Sequence, residues 1–390
     1  MVKELVFHLG DPKTGSTSIQ FALLEQGYAI DGKSIYYSAR PNHIGIAKTL
    51  KDPHWMHKRT RAWQRLASKL DASDADYGIV SAEYFTSVEP QILMDAIREF
   101  LPGYLDRIRL IAYVRPHADR LVSAFAERTK VGVFSGNLEM MHKRLIREKR
   151  LLYTPRFQQW RDVFGDRFTL RPMVRSVLRD QDVVADFMAF VLGETPFALT
   201  ARFQRNESLS LAELTAITAL HGELRQAVNP TLTPDRRVHI QQTLALLFAD
   251  TLAQIPRETM VKPQIHTALA QDVVATYRAD AAALDAAFFD GTPMMDALVA
   301  APGRAIPAPQ SVRITDHYSP DAIRLIRASG QVLRHILEAD PEHFKAAAMP
   351  ADLRPQGWPF KRPLHNRLER IGPLRTALQY LRRKRMQKFQ

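Results

Sequence analysis

Cysteine is absent from the 390 residues, so the chain holds no disulfide, no thiolate metal site and no cysteine nucleophile. That usage fits a reducing compartment. Also missing is any uninterrupted run of about 18 apolar residues, the length a membrane-spanning helix needs. The chain instead enters the apolar run Leu5-Val6-Phe7 at once, without the charged, apolar and small-residue succession of a secretory leader. A cytoplasmic location is therefore expected. Acidic residues are in deficit, 41 against 54 Lys and Arg, for a net charge of +13 at pH 7. The deficit is local. Between 351 and 390, eleven Lys or Arg face only Asp352 and Glu369, a net of +9, which leaves +4 for the rest of the chain. The body is mildly basic, as suits an anionic small ligand, and the tail is a separate cationic feature.

Along the body, short apolar runs alternate with helical periodicity. Strands are expected at Leu5-Val6-Phe7, Ser34 to Tyr37, Tyr77 to Ser81, Arg109 to Val114 and Phe168-Thr169-Leu170. Between them, helices are expected over 58–70, 89–100, from Pro116 onward, 138–149, 155–164 and 182–192. Such alternation implies a parallel sheet with helices on both faces, an α/β fold. From about residue 207 the pattern turns helical, with helices over 211–228, 240–252 and an Ala-rich 267–288. No internal repeat is present. Pro-rich stretches at 302–311 and 350–363 read as a linker and a second irregular segment. The organisation expected is an α/β domain over 1–292, a linker and helical extension over 293–363, and a basic amphipathic tail over 364–390.

The segment Gly10-Asp11-Pro12-Lys13-Thr14-Gly15-Ser16-Thr17-Ser18 lies between the first strand and a helix begun by Ile19, Ala22 and Leu23. A loop in that position holds an anion. The helix N-terminus offers unpartnered N–H groups and the positive end of its dipole, and Ser and Thr hydroxyls add donors. A plain capped turn before a core helix uses the same residue types, so a second element is required. The nucleotide-hydrolase form, G-x-x-x-x-G-K-[ST], puts lysine after the second glycine and a hydroxyl on magnesium. Here Ser16 follows Gly15, and the cation sits inside the loop at Lys13. A second element lies downstream: Arg115 closes a buried strand in Tyr113-Val114-Arg115-Pro116, and Ser123 follows about two turns into the next helix. An arginine fork and a serine hydroxyl suit a phosphate. Glu83 ends the strand Tyr77 to Ser81 and should project from the same sheet edge, where open α/β sheets bind ligands. His43, in Pro41-Asn42-His43-Ile44-Gly45, is a second candidate base, its imidazole titrating near neutrality.

The string HLGDPKTGSTSIQ resembles the 5′-phosphosulfate loop of the sulfotransferases that use 3′-phosphoadenosine 5′-phosphosulfate, whose carbohydrate and bacterial branches carry P-K-[TS]-G-[ST]-[ST]. The segment from Tyr113 to Phe125 resembles their 3′-phosphate signature. Arg205-Asn206-Glu207-Ser208-Leu209-Ser210 is similar to an N-x-S-L-S segment of the bacterial members, and Tyr277-Arg278 through Phe288-Phe289 to their terminal helix, so the likeness runs from 1 to about 292. The resemblance implies a sheet of the P-loop nucleotide-binding kind and metal-independent transfer of a sulfuryl group to a hydroxyl, that of a saccharide or glycolipid. It places Lys13, Thr14, Gly15, Ser16, Thr17 and Ser18 on the phosphosulfate and Arg115 and Ser123 on the 3′-phosphate. It gives the base role to Glu83, with His43 as the alternative that some uronosyl sulfotransferases use. Asp11 departs from the apolar or basic residue usual at its position, and a carboxylate beside a bound anion is unfavourable unless directed away. Leu374, Leu378 and Leu381 share a helical face beside Arg382-Arg383-Lys384-Arg385, which suits an anionic membrane surface or an acidic glycan. Nucleic acid is not the expected partner. Two other readings remain open at this stage: a magnesium-dependent P-loop kinase or nucleotidase, and a non-enzymatic polyanion- or membrane-binding protein driven by the tail.

Overall fold

Val6 and Phe7 are both fully buried, yet consecutive strand residues point to opposite faces, so the strand that holds them needs a layer on each side. The computed structural model supplies both layers and describes residues 1–39, 41–201, 209–256 and 260–348. Residues 205–208 of the N-x-S-L-S segment and the entire basic tail lie outside the described residues.

The strands are β1 (Glu4–His8), β2 (Tyr28–Ile30), β3 (Ile35–Tyr37), β4 (Tyr77–Ser81), β5 (Ile108–Val114), β6 (Phe168–Pro172) and β7 (Phe197–Leu199). Five of them form one parallel sheet in the order β3-β4-β1-β5-β6, and β2 pairs antiparallel with β7 apart from it. The helices, in chain order, are α1 (Ser16–Leu24), α2 (Ile44–Lys48), α3 (Pro53–Met56), α4 (Arg59–Asp71), α5 (Pro90–Phe100), α6 (His117–Lys130), α7 (Leu138–Arg147), α8 (Thr154–Phe164), α9 (Val183–Leu192), α10 (Leu211–Arg225), α11 (Pro234–Ala253), α12 (Thr267–Phe288), α13 (Pro293–Val299), α14 (Pro320–Ala339) and α15 (Pro341–Ala347). The fold is α/β, a five-stranded parallel sheet flanked by helices, with a helical C-terminal part.

Residues 1–123, 138–206 and 264–309 form one compact unit around the sheet. On one face, Ile19 and Leu23 of α1 and Val184, Phe187 and Val191 of α9 pack with Val6, Ile79, Ile111 and Tyr113. Each large side chain so buried contributes about 2–3 kcal/mol of transfer free energy. On the other face, Phe7 meets Phe85 edge-on, Phe157 of α8 stacks on Phe168, and Trp160 of α8 packs against the same ring at a tilt. The second unit takes, of the described residues, 124–137, 209–256, 260–263 and 310–348. Its core joins Leu224 of α10, Ile240 and Leu244 of α11, Leu337 of α14 and Phe344 of α15, and α14 crosses α10 closely where Gly330 lies against Glu223. No strand occurs in it among the described residues.

With β1 central, the chain fills one side of the sheet through β3 and β4 and then the other through β5 and β6. The reversal falls at the carboxyl ends of β4, β1 and β5, the place where open parallel sheets bind ligands.

Candidate active site

The loop from β1 to α1 is shaped by three left-handed residues, Gly10 (φ 62°), Lys13 (φ 68°) and Gly15 (φ 81°). Glycine takes that conformation freely, whereas Lys13 holds it at a cost of about 1–2 kcal/mol, which the surrounding contacts must sustain. Both glycines also allow close approach. A Cβ on Gly10 would lie 2.8 Å from the Glu83 Cα and 3.0 Å from the Ser16 hydroxyl, and one on Gly15 only 2.6 Å from Val183 Cγ1. The loop is therefore clamped between the turn after β4 and the start of α9.

Within that clamp the donors face outward. Gly15 caps α1 with no side-chain hydrogen bond, and no acid stands in the first turn. Among the described residues, the N–H groups of Thr14 to Ser18 have no backbone or side-chain acceptor. The Ser16 hydroxyl is buried, 1% exposed for the residue, and has no hydrogen-bond partner among them either. A buried hydroxyl without a partner beside a row of open N–H groups at a helix N-terminus has the donor set that suits an anion. Thr14 serves the loop itself, its Oγ1 donating to the Asp11 carbonyl at 2.7 Å. Thr17 and Ser18 stand half-buried in the first turn of α1.

Asp11 is directed away from this cradle. It is buried, and its carboxylate receives Nη1 of Arg156, from the first turn of α8, at 2.8 Å. Burial works against the Arg156 charge, and the Asp11 carboxylate more than restores it, so the guanidinium titrates above its usual value. The ring faces of Phe157 and Tyr153, 4.5 and 5.6 Å away, complete its surroundings. The unfavourable acid of the loop thus belongs to a neutral pair. Arg156 carries no motif that reveals it in the sequence; the one available signal was Asp11, since a buried carboxylate calls for a cation.

Two further strand ends contribute. Glu83 opens the turn after β4 against Gly10. Arg115 follows β5, and its Nη1 donates to the Lys13 carbonyl at 3.1 Å, bracing the strained residue. Burial pulls the Arg115 guanidinium below the usual arginine value, with Asp119 offsetting part of that. Tyr153 holds Arg115 from behind, donating its hydroxyl to the Arg115 carbonyl at 3.0 Å. Tyr153 is itself fixed by Asp280 of α12, which accepts the N–H groups of Tyr153 and Thr154 and faces His117 Nε2 at 3.1 Å. Loop, Glu83 and Arg115 are brought together; Ser123 stands farther along α6, half-buried, with no hydrogen bond among the described residues.

No family model matches the chain, and no curated protein matches it. Among solved structures, a sulfotransferase from Alicyclobacillus acidocaldarius aligns with 75% of this chain and 98% of its own, at 13% identity and a TM-score of 0.38. A likeness of that degree assigns neither an activity nor a residue.

His43 has both ring nitrogens engaged. Ser81 N–H donates to Nδ1 at 3.1 Å, which leaves the proton on Nε2, 3.1 Å from the Ser38 hydroxyl. Burial pushes its pKa down to about 4, with the Ser81 hydrogen bond opposing and the nearby Lys69 charge reinforcing the shift. A ring so held is neutral near pH 7, and its accepting nitrogen is committed to the backbone. Behind it, His8 Nδ1 meets the Ser81 hydroxyl at 2.8 Å, and Gln20 donates to the same oxygen at 3.1 Å. These bonds tie the end of β4, two residues before Glu83, to β1 and α1. Among the described residues no cluster of three His, Cys, Asp or Glu side chains is placed to hold a metal ion, and no helix is long and apolar enough to cross a membrane.

Proposed function

We propose that the chain is a sulfotransferase that moves a sulfuryl group from 3′-phosphoadenosine 5′-phosphosulfate to a hydroxyl of a saccharide-type acceptor. The observation that carries this reading is the loop: an uncapped helix N-terminus, an orphaned Ser16 hydroxyl and a strained Lys13, with the acid of the loop itself, Asp11, neutralised by Arg156. The donor supplies an activated sulfuryl group on a phosphate leaving group. The N–H groups of Thr14 to Ser18 and the Ser16 hydroxyl hold that phosphate end, and Lys13 stabilises the negative charge that grows on it as the bond breaks. Arg115, with Nη1 committed to the loop, turns its remaining donors with Ser123 to the 3′-phosphate, so the same side chain braces the loop and reads the ligand. Glu83, packed against Gly10, takes the acceptor proton. His43, neutral and bonded to Ser81, positions the end of β4 instead.

Titration calorimetry with 3′-phosphoadenosine 5′-phosphate tests the reading. Binding should weaken at least about tenfold in Lys13→Ala and in Arg115→Ala, since each removes a charge-assisted contact. Glu83→Gln should keep the nucleotide and lose about 10²- to 10⁴-fold in transfer rate, the span of one general base. Absence of nucleotide binding, or turnover that requires ATP and magnesium, would overturn the assignment.

A further inference from the structure

Helix α4 buries Trp63, Leu66 and Leu70 and presents a quite different face outward. Lys58, Arg61, Arg65 and Lys69 recur at three- and four-residue spacing, so they stand in one row, about 16 Å long at 1.5 Å per residue. The row walls a cleft of about 580 Å³ whose other residues include Ser38, Asn42, His43, Thr49 and Trp55. Past Arg65 and Lys69 a second hollow of about 480 Å³ continues toward Tyr36 and Ser73. Among the described residues no carboxylate lines either hollow. Among the described residues none of the four cations has an ion-pair partner, whereas Arg59, off this face, pairs with Glu99 at 3.1 Å. Like charges one turn apart repel, so an uncompensated row is a cost that a bound polyanion would remove.

The cleft also adjoins the elements that carry the transfer site. His43 on its lining is bonded through both backbone and ring to Ser81, and Ser81 is two residues before Glu83. Helix α2, which supplies Ile46 to the lining, packs against the turn Glu83–Ser87. Trp55 holds one cation of the row, Lys58, whose ammonium lies 4.7 Å from its ring centre, and Lys48 lies 5.5 Å from the same ring. With its ring engaged by two lysines, it is no platform for stacking bases, which single-stranded nucleic acids require. A concave cleft whose walls between the cations are mostly carbon, with Trp55, Ile46 and Leu66 among them, likewise fits the ring faces of a saccharide chain better than a flat lipid surface.

We infer that this cleft binds an acidic oligosaccharide, its carboxylate or sulfate groups ranged along Lys58, Arg61, Arg65 and Lys69, so that a hydroxyl farther along the chain reaches Glu83. The inference rests on the sulfuryl-transfer reading and narrows its acceptor to polyanionic saccharides of more than one unit. The test uses the full chain and the exposed-residue double variant Arg61→Gln with Arg65→Gln, each titrated at low salt with hexagalacturonate, maltohexaose and a six-nucleotide oligothymidylate. The basic tail is the same in both proteins, so their difference reports the cleft. Hexagalacturonate should bind the wild type with strong salt dependence and the double variant at least about tenfold more weakly, with maltohexaose bound by neither. Equal hexagalacturonate affinity in the two proteins overturns the assignment, as does an oligothymidylate that binds more tightly than hexagalacturonate and is lost in the variant. Titration of 3′-phosphoadenosine 5′-phosphate separates the two claims. Nucleotide bound equally by both proteins, with no loss of hexagalacturonate in the variant, overturns the cleft alone; cleft-dependent saccharide binding with no nucleotide binding overturns the transfer reading and leaves a saccharide site.

Discussion

Arg156→Met is the most informative single change, because it removes a cation from the anion loop without touching the loop sequence. The Asp11 side chain is 2% exposed and that of Arg156 30% exposed, so the pair lies between the surface and the fully buried limits. Surface pairs contribute about 0–1 kcal/mol, and breaking a fully buried one costs about 3–5 kcal/mol because the orphaned charge stays behind. Solvent access at Arg156 discounts the second figure to about 2–3 kcal/mol here. For a unit of this size that is a fall in melting temperature of about 4–12 °C. The orphaned Asp11 carboxylate also lowers the loop's attraction for anions, so 3′-phosphoadenosine 5′-phosphate should bind about tenfold more weakly. Scanning calorimetry reads the first effect and titration calorimetry the second. Asp11→Asn in the Arg156→Met background should restore nucleotide affinity, since no uncompensated acid remains. A variant that melts with the wild type and binds nucleotide unchanged would refute the pairing argument; so would failure of Asp11→Asn to restore binding.

The loop's close approach predicts a contrast between two glycines of nearly equal φ. Gly15→Ala should lose about 2–4 kcal/mol, from the left-handed backbone and the 2.6 Å approach to Val183, while Gly291→Ala, with nothing within 4 Å, should lose only about 1 kcal/mol; equal midpoints in urea would count against the clamp. Acid should destabilise the sheet unit through His8 and His43, which burial pushes down to about 3 and about 4 from 6.5. Between those values and 6.5 the unfolded chain binds more protons, so stability is complete above about pH 6.5 and drains as pH falls toward 4. At about pH 5.5 the loss is about 1.4 kcal/mol for each ring, and urea midpoints that match at about pH 7.5 and about pH 5.5 would show the rings to be protonated in the fold.

Much of the framework could be read from the sequence because each sheet strand is a short apolar run ending at a turn. β1, β4, β5 and β6 appear within a residue or two of their expected places, and α4, α8, α9 and α12 nearly so. The pair β2 and β7 escaped notice: Tyr28-Ala29-Ile30 and Phe197-Ala198-Leu199 are three residues each, too short to show a period, and their register is settled by contacts far apart in the chain. α10 ends at Arg225, short of the expected 228, ahead of Asn229 and Pro230. At the site, the strand-end rule located the loop, Glu83 and Arg115, since each position depends only on its own strand. Arg156, Tyr153 and Asp280 obey no such rule. Asp11 and Arg156 meet across 145 positions, and Asp280 reaches Tyr153 across 127. Local periodicity carries no information about such contacts.

That separation bears on how the protein comes into being during synthesis. β1 and the loop after it are made before every strand that flanks them, yet β1 is the middle of the sheet. Its neighbours begin at Tyr77 and Ile108, and the cation that neutralises Asp11 arrives only at position 156. Parallel pairing over such distances must overcome loop-closure entropy before any contact offsets it. The nascent chain therefore makes the loop early and closes it late, and Asp11 has no counter-charge until Arg156, 145 positions on, has been added.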